Sequence, residues 1–329
     1  MNNFILRYIS KVVVFFAPVF LVIILLEITA RNMEDSFSFK HKFLIEKGTS
    51  INTLILGNSH AYYGIEPSIL NDSAFSMAMP SQDLLTDFKI LESFSTSLPN
   101  LNTVIFNLSV SSLFLSVENE ARWRKAYYHF KMHLPDALPS SESFFSRNSL
   151  LFSAGLKPVL KSFQYKLSGQ NQKAMCLPKG NGLYFQEATI SILERTGFDA
   201  ATRHQKDTSE MTTIINQLSL VVDSLIQKKI RVVFVSTPVT DYYSKWISSQ
   251  TSLKINSALE KIITDNPSCI YLNYRDNLRL PILFFTDADH LNNNGSLEFS
   301  RILLEDLKKI PPSNSNPRIS PNGLMHQQR

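Results

Sequence analysis

Short apolar segments alternate with amphipathic ones over most of the chain. INTLIL (51–56) runs into Gly57 and reads as a buried strand, and SAFSMAM (73–79), TVIFNL (103–108), IRVVFVSTP (230–238) and CIYLNY (269–274) have the same character. Between them lie helical spacings. Leu84, Leu85, Phe88 and Leu91 mark one face within 81–98, and Ile214, Leu218, Val221 and Leu225 mark another before the fourth strand. A helix-like stretch spans 243–264, and GSLEFSRILLEDLKKI closes the pattern. This alternation predicts an α/β fold, a flavodoxin-like doubly wound parallel sheet of about five strands covered on both faces, over 51–310. No internal repeat is present.

Two regions depart from it. Residues 118–207 are aromatic and basic without a clean period, a mid-chain insertion that reads either as a substrate cover or as a subdomain with its own small core. The tail 311–329 has almost no apolar content and is expected to be disordered.

The N-terminus reads as a membrane segment. VVVFFAPVFLVIILLEITA (12–30) is uncharged from Val12 to Leu26, with Glu27 the one interruption before Ala30. With the apolar residues ahead of it, the run can supply the roughly 20 residues that cross a hydrocarbon core. A cleaved signal peptide has the same outline, but Ile28 sits three residues before a cut after Ala30, a poor fit to a small-x-small site. The expectation is an uncleaved transmembrane signal anchor. Arg7 and Lys11 then keep residues 1–11 in the cytoplasm and place the chain beyond the anchor outside, on a polar stalk over 31–50.

Of the 329 residues, 44% are apolar, enough for a sizeable core, and a net charge of +5 scattered among acidic residues does not suggest nucleic acid. Cys176 and Cys269 form no C-x-x-C pair and sit beside no histidine cluster, so neither a metal nor a redox cofactor is expected; a disulfide and two buried thiols both remain open. Neither G-x-G-x-x-G nor G-x-x-x-x-G-K-[ST] follows a strand, which argues against a nucleotide fold.

Ligands of a doubly wound sheet bind outside the carboxyl ends of its strands, and Ser59 stands there after the first strand. A serine hydroxyl becomes a nucleophile only when a base takes its proton. His290, after the last strand and before the last helix, falls on the same edge, and Asp287 three residues earlier can reach its Nδ1 in one tight turn. Taken singly, Ser59 could instead cap a helix, as could Asp287 or Asp289.

GNSH (57–60) and DADH (287–290), in this order within an α/β pattern, resemble the SGNH, or GDSL-like, hydrolase superfamily, and most of all its membrane-anchored branch of polysaccharide O-acetylation proteins. The resemblance covers about 51–310 apart from the insertion. It implies Ser59 as nucleophile, His290 as base and Asp287 as its orienter, acting through an acyl-serine without metal or cofactor. The α/β-hydrolase elbow G-x-S-x-G is absent, because Ala61 stands two residues after Ser59. The superfamily's oxyanion glycine is missing too, as no glycine occurs between Gly64 and Gly155. Backbone N–H groups at Ala78 or Ser81 could substitute. Asn107 is the candidate for the family's asparagine donor, or else an ordinary strand residue.

The expected activity is that of an exported serine esterase or O-acyltransferase acting on acyl, chiefly acetyl, esters of an envelope or capsular glycan at the bacterial inner membrane. Its partners would be the acylated polysaccharide, the membrane and a membrane acyl-donor protein. The alternative is a catalytically silent glycan-binding or assembly component.

Overall fold

The computed structural model describes residues 2–114, 122–138, 141–169, 175–205 and 211–310. In chain order the helices are α1 (Asn2–Asn32), α2 (Ser36–Lys47), α3 (Ser59–Gly64), α4 (Pro67–Leu70), α5 (Leu84–Ser93), α6 (Arg122–Phe130), α7 (Phe144–Asn148), α8 (Leu150–Ala154), α9 (Leu156–Leu167), α10 (Ile190–His204), α11 (Met211–Gln227), α12 (Asp241–Ser244), α13 (Ser249–Asp265), α14 (Tyr274–Asn277) and α15 (Asn293–Lys309). The strands are β1 (Thr53–Leu56), β2 (Ala74–Ser76), β3 (Thr103–Asn107), β4 (Arg231–Ser236) and β5 (Ile270–Asn273). They fall into two compact units, one of residues 1–41 with 122–175 and one of 42–121 with 176–329.

The larger unit is the α/β domain. Its five strands are parallel in the order β2-β1-β3-β4-β5, the flavodoxin-like arrangement. Leu54 lies opposite Phe75 on one side and Val104 on the other, and Val104 opposite Val232, so unbroken apolar strands meet at the centre of the sheet. Strands buried on both faces need no alternation, which is why they read as apolar runs. In α11 the buried stripe is Ile214, Leu218, Val222 and Leu225, so the third position is Val222 where the spacing suggested Val221. Cys176 and Cys269 are both buried thiols, with no disulfide between them. The chain leaves β1 toward β2 and returns to β3 on the opposite side, so the reversal of strand order lies between the carboxyl ends of β1 and β3.

The smaller unit is helical and built on α1. Ile5–Asn32 contains an 18-residue stretch with a mean hydropathy of 2.8 and is long and apolar enough to cross a membrane. Within 31–50, expected as a polar stalk, residues 36–47 form a helix. Asp35 Oδ1 accepts the N–H groups of Phe37 and Ser38 at 2.9 Å each, starting α2 with a side-chain cap. Phe37 packs edge-on against Tyr128 with ring centroids 5.0 Å apart. Buried Lys131 donates to the carbonyls of Arg31 and Met33 at 2.8 and 2.6 Å, where α1 runs out of internal donors. The polar letters of 31–50 conceal one apolar face, and that face is buried. The insertion expected over 118–207 is also divided: 122–175 belongs with the helical unit and 176–205 with the α/β domain. The tail 311–329 lies outside the described residues.

Gly57, between β1 and α3, has φ +131°, and a Cβ there would lie 2.7 Å from the Cβ of Asn107. Gly57→Ala is expected to destabilise the fold by about 2 kcal/mol or more in a urea titration of the detergent-solubilised chain. Gly64→Ala, whose new Cβ would meet nothing nearer than Thr237 Cγ2 at 3.5 Å, should be neutral or mildly stabilising. Equal effects of the two substitutions would refute this account of the turn.

Candidate active site

Ser59 opens α3 without capping it. The cap is Asn58, whose Oδ1 accepts the N–H of His60 at 3.0 Å. The other end of the same amide donates to Ser109 Oγ at 2.7 Å, and Ser109 Oγ lies 3.0 and 3.1 Å from the hydroxyls of Ser111 and Ser112. Asn58 therefore starts the helix and ties the loop after β1 to the loop after β3. On the opposite side, Asp87 Oδ1 accepts the N–H of Gly57 at 3.2 Å. The turn carrying Ser59 is held from two directions.

His290 sits in a turn closed by the antiparallel bridge between Phe285 and Leu291 and by Thr286 N–H donating to the His290 carbonyl at 3.0 Å. Asp287 Oδ1 accepts the backbone N–H groups of His290 and Asp289 at 2.8 and 3.1 Å, while both carboxylate oxygens lie 3.0 Å from His290 Nδ1. Thr240 donates both N–H and Oγ1–H to the Ala288 carbonyl, at 3.0 and 2.7 Å, and Ala288 N–H donates to Thr196 Oγ1 at 3.0 Å. Neither aspartate caps α15, because Asn292 does so by accepting from Gly295 N–H at 3.0 Å.

The structure brings together the three residues singled out in sequence. His290 Nε2 lies 2.8 Å from Ser59 Oγ, across 231 positions of chain. With Nδ1–H facing Asp287, the neutral imidazole presents Nε2 as the acceptor of the serine proton, the relay a serine nucleophile requires.

A second pair lies behind this chain, and sequence reasoning missed it. Asp289 Oδ2 is 3.1 Å from His60 Nε2, both side chains being 3% exposed, and Asp289 Oδ1 is 3.5 Å from His290 Nδ1. His60 Nδ1 faces Thr237 Oγ1 at 3.3 Å, and His204 Nδ1 faces the Tyr243 hydroxyl at 2.9 Å. The signal was available in the repeated aspartate of DADH and in His60 next to Ser59. Burial alone would lower the pKa of His290, but the charges of Asp289 and Asp287 outweigh it and push the imidazole up to about 9. Burial works the other way on Asp289, yet the His290 charge and the His60 contacts hold its carboxyl well below the usual carboxylate range. His204, buried beside other cations, is pushed down to about 3 and is neutral at pH 7.

Two groups, His60 with His204 and Asp289, and Asp287 with Asp289 and His290, place potential ligand atoms within 4.8 Å of one another. In both, a carboxylate and an imidazole are already hydrogen-bonded to each other.

The expected oxyanion donors fare unevenly. Ala78 and Ser81 lie on the segment after β2; Met79 N–H, between them, donates to the Gly57 carbonyl at 3.1 Å, and Ser81 has a left-handed backbone with φ +58°. Asn107, the candidate for the asparagine donor, is fully buried in β3, where its Nδ2 donates to the Val235 carbonyl at 3.2 Å and braces the sheet. A strand-terminal asparagine looks the same in sequence whichever way it points. Among the described residues beyond β3, Ser109 and Ser112 reach the Ser59 turn, with Asn58 Nδ2 2.7 and 3.4 Å from their hydroxyls.

Tyr63 and Tyr184 stack at 3.9 Å and stand edge-on to His290, with centroids 6.0 and 6.1 Å away. Tyr184 comes from the part of the insertion that joins the α/β domain. It is placed by Gly182 N–H donating to the Tyr62 carbonyl and Asn293 N–H donating to the Tyr184 carbonyl.

No protein family matches the sequence. No curated protein does either. Among solved structures, the chain is similar to a "putative platelet activating factor" from Streptococcus pneumonia, with 10% identity, 93% of this chain and 100% of that one covered, and a TM-score of 0.39. It is also similar to a "putative acylhydrolase" from Bacteroides fragilis, with 9% identity, 82% and 95% covered, and a TM-score of 0.37.

The charge arrangement predicts a titration. NMR of ring-labelled histidine should show His290 losing its proton near pH 9, and Asp289→Asn should lower that midpoint by removing a facing charge. Because the folded value exceeds the ordinary 6.5, the imidazolium stabilises the fold below pH 6.5, and this contribution is lost as pH rises through 9. An unchanged midpoint in Asp289→Asn would show that the second carboxylate does not act on His290.

Proposed function

We propose that the chain is an SGNH-type serine esterase or O-acyltransferase that works through an acyl-serine. One observation carries this reading: the continuous contact from Ser59 Oγ to His290 Nε2 at 2.8 Å and from His290 Nδ1 to Asp287 at 3.0 Å, at the strand-order reversal where such sheets bind ligands. In the first half-reaction neutral His290 takes the Ser59 proton while Oγ attacks the ester carbonyl carbon. The tetrahedral intermediate collapses, and His290 returns the proton to the leaving alcohol. In the second half-reaction His290 deprotonates water or a sugar hydroxyl, which attacks the acyl-serine carbonyl; the Oγ–acyl bond then breaks, the imidazolium returns the proton to Ser59 Oγ, and the carboxylic acid or new ester leaves. Asp287 fixes the imidazole's orientation and balances its charge throughout. Stacked Tyr63 and Tyr184 supply a flat apolar wall beside the reacting atoms, suited to a sugar ring or an acyl chain.

The substrate class is inferred from location. The apolar N-terminal helix supports an inner-membrane anchor with the α/β domain on the extracytoplasmic side, where acylated envelope or capsular glycan is the accessible ester and a membrane acyl-donor protein the natural supplier of a transferase. A second reading, a silent glycan-binding component, is favoured by the engagement of Asn107 within the sheet. Loss of one oxyanion donor costs roughly 100- to 1000-fold in rate.

With p-nitrophenyl acetate, Ser59→Ala and His290→Ala are each expected to lower the rate about 10^4-fold or more. The wild-type rate should rise with pH toward about 9, because only the neutral imidazole accepts the serine proton. Turnover that survives Ser59→Ala would eliminate the acyl-serine mechanism. Absent turnover, together with no labelling of Ser59 by a fluorophosphonate and undiminished polysaccharide binding by Ser59→Ala, would establish the silent reading.

A further inference from the structure

The helical unit carries a surface that the proposed chemistry does not use. Glu27, the one acidic residue in the apolar run of α1, is paired with Arg31 at 2.5 Å, and its carboxylate accepts from Ser149 Oγ and from the N–H groups of Leu150 and Leu151 at 2.8, 2.8 and 2.9 Å. Those N–H groups are unsatisfied donors of the first turn of α8, and a carboxylate is what such a helix end attracts. The contact fixes a depth. About 20 residues span the hydrocarbon core, which carries the helix from Val12 to Arg31 and leaves Glu27 one turn inside the outer boundary. The start of α8 is bonded to the membrane helix at that level.

The residues around this point are apolar and uncovered. Phe144, Phe145 and Phe152 are 75%, 64% and 60% exposed, and their rings form a continuous cluster with centroid separations of 5.9 and 5.7 Å. On α9, Leu156, Leu160 and Leu167 are exposed at helical spacing, while Lys157 and Lys161 run along the adjoining stripe. From 143 to 169 the chain has four basic residues, Arg147, Lys157, Lys161 and Lys166, and no acidic one. Aromatic rings, an apolar helix stripe and flanking lysines are the composition of a helix lying in the membrane interface.

We propose that α7, α8 and α9 form a lipid-facing surface that sinks into the outer leaflet beside α1, its basic residues meeting anionic headgroups. The bilayer is the occupant because this surface is continuous, through Glu27, with the segment that crosses it. The proposal rests on α1 spanning the membrane and is independent of the chemistry at Ser59.

The test uses the full-length chain in phosphatidylcholine–phosphatidylglycerol nanodiscs, with Cys176 and Cys269 replaced by alanine and single cysteines carrying an NBD fluorophore. Val19→Cys reports on the span, Phe145→Cys and Leu156→Cys on the surface, and Leu253→Cys, 67% exposed on α13, serves as the aqueous control. Bromine-labelled lipid tails should quench the probes at 145 and 156 about twofold or more, as at 19, and leave 253 bright. Bright probes at 145 and 156 beside a quenched probe at 19 would overturn the surface while keeping the span. A bright probe at 19 would remove both. Probes at 145 and 156 shielded from water only in native membranes, and never quenched by the bromolipid, would mean that a protein covers this face, which also overturns the proposal.

Discussion

The close approach of Gly57 to Asn107 is the constraint on which the site depends. Only a residue without a Cβ lets the chain leave β1 at φ +131° so near β3, and only that exit puts Asn58 where one amide can cap α3 and reach Ser109. The serine's position is set by the sheet, and its direction by two backbone turns. The histidine depends on the same kind of device, since Asp287 and Asn292 shape the turn and the helix start on either side of His290. Asparagine does the capping in both places, leaving the Ser59 hydroxyl and the Asp287 carboxylate to meet His290 from its two sides.

The electrostatics divide labour between two carboxylates. Asp287 is part-exposed and shaped by local hydrogen bonds, whereas Asp289 is buried and tied to His60, with His204 and Tyr243 packed alongside. A buried carboxylate facing an imidazole holds positive charge on that imidazole more firmly than a solvated one, because less water screens it. Both carboxylates therefore favour the charged ring, Asp289 the more strongly, and Asp287 also fixes where it points.

How far the chain could be read from its sequence depended on how local each feature is. Strands buried on both faces announce themselves as apolar runs, so the five-stranded parallel sheet was legible, and with it the shared edge of Ser59, Asp287 and His290. The polar stretch at 31–50 was not, because α2 buries a face around Phe37 that is visible only once Tyr127 and Tyr128, nearly a hundred residues later, are known to lie against it. The insertion read as one piece because composition does not record which neighbour each half packs upon. Asn107 and His60 show the same limit at single residues: identity was plain, but direction was set by partners at Val235 and Asp289.

Glu27 has a consequence for how the chain is assembled. Inside the apolar run its carboxylate has only Arg31 until α8 presents its N–H groups, so α1 gains these partners only when residues 149–151, more than a hundred positions downstream, have been made and docked. A generic apolar helix in place of α1 would leave the start of α8 without an anion, and a chain truncated before α8 would leave Glu27 without those donors. The first helix and the short helix that meets it are therefore completed together.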